Sequence, residues 1–184
     1  MARVPYLDVS DLSPENQDLL KRPIWLNRAL AHSPDALRSM NELAGFIRHK
    51  STLNGRLREL AILQIGWLAR SPYEWSHHVA IGNEFGATDE DIRAIGEETA
   101  GRPTRLDETT KLVLRGAREM TRDIGMSEAT FAEIKQHLSD EHMTDLVLTI
   151  AFYCAVVRVL ATMKIDNEPS YKEVLKQYPI PGVS

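Results

Sequence analysis

The sequence predicts an all-α fold of about eight helices, and three observations carry that expectation. Apolar residues recur at helical spacing through most of the chain. Ser-Pro pairs and Thr or Asp caps punctuate it at roughly one-helix intervals. No run alternates with the period of two that a half-buried strand requires. At 184 residues, with 43% apolar and 26% charged side chains, the chain reads as one domain able to bury a substantial core.

The elements follow in order. Ser13-Pro14-Glu15 opens a short helix by cap-and-proline logic, Arg22-Pro23 interrupts it, and residues 24–32 form another short segment. Ser33-Pro34-Asp35 starts a longer helix to about Lys50, with Leu37, Met40, Leu43, Ala44 and Ile47 on one face. Asn54-Gly55 is a turn signal. Residues 56–70 are apolar nearly all round after Glu59, the pattern of a helix buried on every side. Ser71-Pro72 starts the next helix, ending near Gly86, and Thr88-Asp89-Glu90-Asp91 caps a short one through Glu97. Residues 107–123 and 127–138 are amphipathic helices. Residues 139–163 form the longest, with an apolar middle. The tail after Asp166 holds three prolines and reads as extended.

The totals narrow the function classes. The formal charge is −4 with both signs interspersed, and no basic stripe carries interleaved aromatics, so nucleic acid is not an expected partner. Leu60–Leu68 and Leu146–Ala161 are too short or too interrupted (Gln64, Thr149, Arg158) to read as membrane spans. Residues 1–17 lack the apolar core of a signal peptide, and Cys154 is the single cysteine, so the expected location is the cytoplasm and no internal disulfide can form.

Residues 59–78 concentrate the chemistry. Carboxylates and imidazoles cost free energy when buried, yet Glu59, Glu74 and His78 fall in the most apolar region. His78 lies four residues after Glu74, on the same helix face, which orients an imidazole for proton donation or relay. His77 points about 100° away. Ser71 and Glu74 also fit a capping box, and Glu74 fits either that role or a pocket wall. Glu59 likewise fits two placements: a first-turn carboxylate paired with Arg56 or Arg58, or a group projecting against the Tyr73–His78 helix. Trp67 and Trp75 suit the core first and a substrate platform second. Adjacent histidines diverge on a helix and no HExxH occurs, so no metal site is expected.

The run Leu57-Arg58-Glu59-Leu60-Ala61-Ile62-Leu63, followed by Tyr73-Glu74-Trp75 and His78, resembles the carboxymuconolactone decarboxylase family, a relative of the alkylhydroperoxidase D-like proteins. The likeness is strongest over residues 35–100. It implies a core at about 35–125, preceded by a helical extension (1–34) and followed by C-terminal helices and a tail (126–184). In the peroxidase branch a glutamate is followed by a CxxC pair and then a histidine. Laid on Glu59, the cysteine positions fall at Ser71 and Glu74, and the histidine at His78. Serine cannot reduce peroxide or form a disulfide, so thiol peroxidase chemistry is not expected.

The resemblance implies instead a cofactor-independent decarboxylase acting on a small cyclic acid or lactone, assembled as a trimer or hexamer. In that picture His78 is the proton donor or relay, Glu59 and Glu74 set its pKa, and Tyr73 donates a hydrogen bond to the lactone carbonyl. Ser71, Trp75 and Arg58 stand as substrate-binding candidates. The cation for a substrate carboxylate would be Arg28, Arg56, Arg58 or a residue of another subunit. A related hydratase or isomerase, a silent ligand-binding oligomer, and a redox protein using Cys154 are the alternatives.

Overall fold

A computed structural model describes residues 1–182, and helix is the only regular structure among them. Nine α-helices follow in order: α1 (Trp25–Leu30), α2 (Pro34–His49), α3 (Gly55–Leu68), α4 (Pro72–Glu84), α5 (Asp89–Thr99), α6 (Glu108–Arg122), α7 (Glu128–Lys135), α8 (Asp140–Met163) and α9 (Lys172–Gln177). Short 3₁₀ segments at Val9–Asp11, Pro14–Leu20 and Pro169–Tyr171 complete the description.

Helix α3 is the axis of the molecule. Every residue from Leu57 to Gly66 is buried, and α4, α5, α6 and α8 all pack on it. Its all-round apolar sequence, interrupted only by Arg58, Glu59 and Gln64, is what such a position requires. The larger cluster fills the space between α3, α6 and α8 with Ile62, Ile65, Val113, Leu146 and Ile150. A second gathers Leu60, Leu63, Trp75 and Ile95 beneath α9.

Close approach of α3 and α4 depends on Gly66, where an added Cβ would stand 3.2 Å from the backbone nitrogen of Trp75 and 3.4 Å from its Cα. Because backbone cannot step aside as a side-chain tip can, Gly66→Ala is expected to cost about 1–3 kcal/mol, read as a lower urea midpoint at unchanged m.

Several local expectations are corrected. Asn54 is no turn residue but the N-cap of α3, accepting from the Leu57 N–H at 3.1 Å. The short helix expected after Ser13-Pro14 is present and is of the 3₁₀ kind. The tail is not extended. Pro169 starts a 3₁₀ turn that leads into α9, and Pro179 follows its end, so the prolines bracket a helix instead of preventing one. Val183 and Ser184 lie outside the described residues. Helix α8, at 24 residues, is long and apolar enough to cross a membrane by length and composition, more than its interrupted sequence suggested. Here 44% of its most apolar window is buried against the rest of the protein.

Candidate functional site

Helices α3 and α4 bring together the three ionisable groups that the sequence singles out. His78 Nδ1 lies 2.7 Å from Glu59 Oε2, and its Nε2 lies 3.1 Å from Glu74 Oε1. All three side chains are almost fully buried. The Glu59–His78 contact is a formed hydrogen bond. Glu74 Oε1 is off the line of the Nε2–H and has no hydrogen-bond partner of its own. Arg58 Nε donates to Glu59 Oε1 at 2.9 Å, so four charged groups run Arg58–Glu59–His78–Glu74 through the interior.

The electrostatics follow from this row. Burial pulls the His78 imidazole down, but the charges of Glu74 and Glu59 overcome it and hold the group at about 9. Burial pushes Glu59 up, and His78 and Arg58 more than reverse this, leaving its carboxyl below the usual range. At neutral pH His78 is therefore held in its protonated form between Glu59 and Glu74.

A pH dependence of stability follows. His78 is raised above its ordinary 6.5, so its contribution is fully present below that pH and is lost as pH rises through about 9. The lowered Glu59 contributes above its ordinary 4.5 and loses that contribution as pH falls. The urea midpoint is expected to drop between pH 6.5 and 9.5, and to drop less in Glu59→Gln, where His78 has lost a partner.

A cavity of about 310 Å³ opens onto this row, lined by His78, Glu74 and Tyr73 of α4, Tyr153 of α8 and Arg48 of α2. The N-terminal extension supplies a further wall with Leu19, Ile24 and Leu26. Glu59 is absent from the lining and stands behind His78. Tyr153 meets the His78 ring edge-on at 4.9 Å. Burial, reinforced by Glu74, pushes its hydroxyl well above the ordinary range, so it keeps its proton; Arg48 opposes that shift. The hydroxyl is thus a hydrogen-bond donor on the cavity wall.

The remaining expected residues are placed as follows. Tyr73 lines the cavity, but its hydroxyl is already engaged, accepting from the Leu26 N–H at 3.3 Å and donating to Glu168 at 3.2 Å. Ser71 is the N-cap of α4, accepting from the Glu74 N–H at 3.3 Å. The capping box is incomplete because the Glu74 carboxylate turns to His78. Trp75 is core, its indole donating to the Tyr178 carbonyl at 2.8 Å, and it does not reach the cavity. Arg58 is walled in between Glu59 and the ring of Phe85, 4.2 Å away. Arg56 is spent on Asp91 and Asp107 beside the α5 and α6 caps, and Arg28 on Asp8. None of the expected arginines faces the cavity. His77, stacked between Tyr73 and Tyr171, pairs with Glu168 at 2.7 Å and lines one side.

Sequence reasoning passed over Tyr153 and Arg48. Tyr153 sits in an apolar run next to Cys154, and its hydroxyl was the only signal available. Cys154 itself is buried beside Thr121 and is not on the cavity wall. Among the described residues, no group of His, Cys, Asp and Glu side chains is arranged to hold a metal ion.

Comparison with known proteins agrees with this architecture. Residues 34–103 match the model of the carboxymuconolactone decarboxylase family. No curated protein matches the sequence. Among solved structures, the chain is similar to an alkylhydroperoxidase AhpD core protein, described as peroxidase-related, from Ralstonia eutropha JMP134. The TM-score is 0.79 at 18% identity, covering 92% of this chain and 94% of that one. It is also similar to a protein of unknown function from Agrobacterium tumefaciens (TM-score 0.68, 16% identity, covering 76% and 94%). A debrominase crystallised with 2,3,4-tribromopyrrole matches at TM-score 0.72 and 17% identity, covering 82% of this chain and 80% of its own. The chain thus has the helical fold of these alkylhydroperoxidase D-like structures, and its residues 34–103 are similar to the carboxymuconolactone decarboxylase family.

Proposed function

We propose that the cavity carries out cofactor-independent decarboxylation of a small cyclic organic acid or lactone, with the proton moved by His78. The observation that carries this reading is the buried imidazolium between Glu59 and Glu74, one face of which borders a cavity sized for a small molecule. A debrominase of the same fold crystallised with 2,3,4-tribromopyrrole supports a small ring as the kind of ligand.

The reaction asks for three things. The carbon–carboxylate bond breaks as CO₂ leaves, and its electron pair passes into the adjoining carbonyl system as an enolate. Tyr153, which keeps its proton and stands beside His78, donates a hydrogen bond to that oxygen; Tyr73, the earlier candidate, is occupied by Glu168. The Nε2 proton of His78 is held off-axis by Glu74, so it can be given to the carbon. Glu59 then acts as a positioning residue. It fixes the ring through Nδ1 and favours the charged form, with Arg58 balancing its own charge.

Screening lactone acids for CO₂ release, with bicarbonate detected by a coupled assay, tests the reading. Turnover abolished in His78→Gln and reduced in Tyr153→Phe is expected. Solvent-deuterium exchange without CO₂ release would reassign the site to an isomerase or hydratase using the same proton. We also propose a homo-oligomer, since Phe131 and Leu148 leave an apolar face on α7 and α8 exposed. A monomer mass by light scattering at micromolar concentration would remove that part.

A further inference from the structure

Charged groups of both signs line the cavity, and Arg48 stands close enough to the Tyr153 hydroxyl to act on it. Glu74 and His78 line the cavity from α4. On the α2 side stands Arg48, a cavity-lining guanidinium whose Nε is buried and hydrogen-bonded to nothing. Among the described residues no carboxylate lies within ion-pair distance of it. The one acid at the rim, Asp18, is already held by Arg38 at 2.9 Å, and Glu74 is turned to His78. Leu26, Met40, Ile81, Phe152 and Val156 supply apolar lining, and Asn27 and Asn41 add polar groups to it.

A half-buried guanidinium with a desolvated, unbonded donor is an incomplete arrangement, because burying a polar group without a partner costs free energy that a bound acceptor would recover. Its planar fork of donors matches a carboxylate, and charge-assisted bonds of that kind are the stronger ones. The exposed rim cations Lys21 and Arg22 have water as an alternative partner, whereas Arg48 Nε does not.

We propose that Arg48 is the anion anchor of this cavity, so that the ligand is a small acid with an apolar ring, one carboxylate held on Arg48 and the group that reacts turned to His78. This rests on the cavity being the reactive one. It also orients the molecule: the group held by Arg48 stays bound, and the group that reacts is the one brought to the imidazolium. A diacid would keep one carboxylate on Arg48 and bring the second to the His78 imidazolium, where it leaves as CO₂ and the carbon takes the Nε2 proton. A monoacid lactone would be held as an unreactive analogue whose ring carbon can still exchange a proton.

The test is isothermal titration of the full chain with γ-butyrolactone-γ-carboxylate and with its uncharged methyl ester, in wild type, Arg48→Met and Arg48→Lys, with helicity checked by circular dichroism. The acid is expected to bind wild type about tenfold or more tighter than the ester. Arg48→Met should erase that preference by weakening the acid alone, and Arg48→Lys should keep part of it. Equal affinity for acid and ester, no binding of the acid at millimolar concentration, or a preference that survives in Arg48→Met would each overturn the anchor. Deuterium uptake into the ring carbon beside the carbonyl separates this from the reading it rests on. Uptake lost in His78→Gln but binding indifferent to Arg48→Met leaves the proton relay standing and removes the anchor. Binding governed by Arg48, with no uptake in wild type, leaves the anchor and removes the relay.

Discussion

Replacing His78 with glutamine is expected to lower turnover by about 10²–10⁴-fold, the usual yield of a positioned general acid. Glutamine fills much of the same space and can still donate to one carboxylate, but it has no proton to give at neutral pH. The variant should also lose stability, because Glu59 and Glu74 would face each other's field with only Arg58 to compensate. Activity must therefore be measured well below its unfolding midpoint. A sharper companion is Glu74→Gln. Glu74 is one of the two charges holding His78 at about 9, so its removal should move the alkaline limb of the pH–rate profile to lower pH. A merely structural Glu74 would change the rate without moving that limb. A His78→Gln enzyme with wild-type turnover would end the assignment.

The second large effect belongs to Glu59. Glu59→Ala strips the counter-charge from Arg58, which is 2% exposed, and the Nδ1 partner from His78, leaving two buried cations with no anion between them. Breaking a buried pair in this way costs about 3–5 kcal/mol. For a chain of this size that corresponds to a fall in Tm of roughly 6–20 °C. The double variant Arg58→Met/Glu59→Gln should recover a large part of the loss, since it removes the orphaned guanidinium along with the carboxylate. Additive losses in the double variant would show that the two side chains are not coupled, contrary to the 2.9 Å contact between them.

Much of this site could be read from order alone, and the reason is local. Helices α3 and α4 are consecutive, so the acid and imidazole they carry must meet once both helices bury the same apolar faces. Burial of ionisable side chains in an unbroken apolar run is a sequence-level signal of that meeting. What escaped comes from elements far along the chain. Arg48 lies on α2 and Tyr153 on α8, and nothing in the helical period of either says that they share a cavity with His78. The earlier arginine candidates failed for a related reason: their partners, Asp8, Asp91 and Asp107, are set by tertiary contacts. The Ser71–Glu74 spacing predicts a reciprocal cap, and it is only half formed because a buried cation is a stronger attraction for the carboxylate than one backbone N–H. Prolines in the tail suggested extension, whereas the residues between Pro169 and Pro179 had room for one short helix.

Glu168 accepts from the Trp25 N–H at 2.7 Å and the Tyr73 hydroxyl at 3.2 Å, and pairs with His77. These partners precede it by 143, 95 and 91 residues, so one carboxylate fastens the N-terminal wall to the reactive helix across most of the polypeptide. Closing loops of that size is entropically slow. On the ribosome, then, α3 and α4 can dock early, while the wall of the cavity that Glu168 fastens stays unfinished until residue 168 has cleared the exit tunnel.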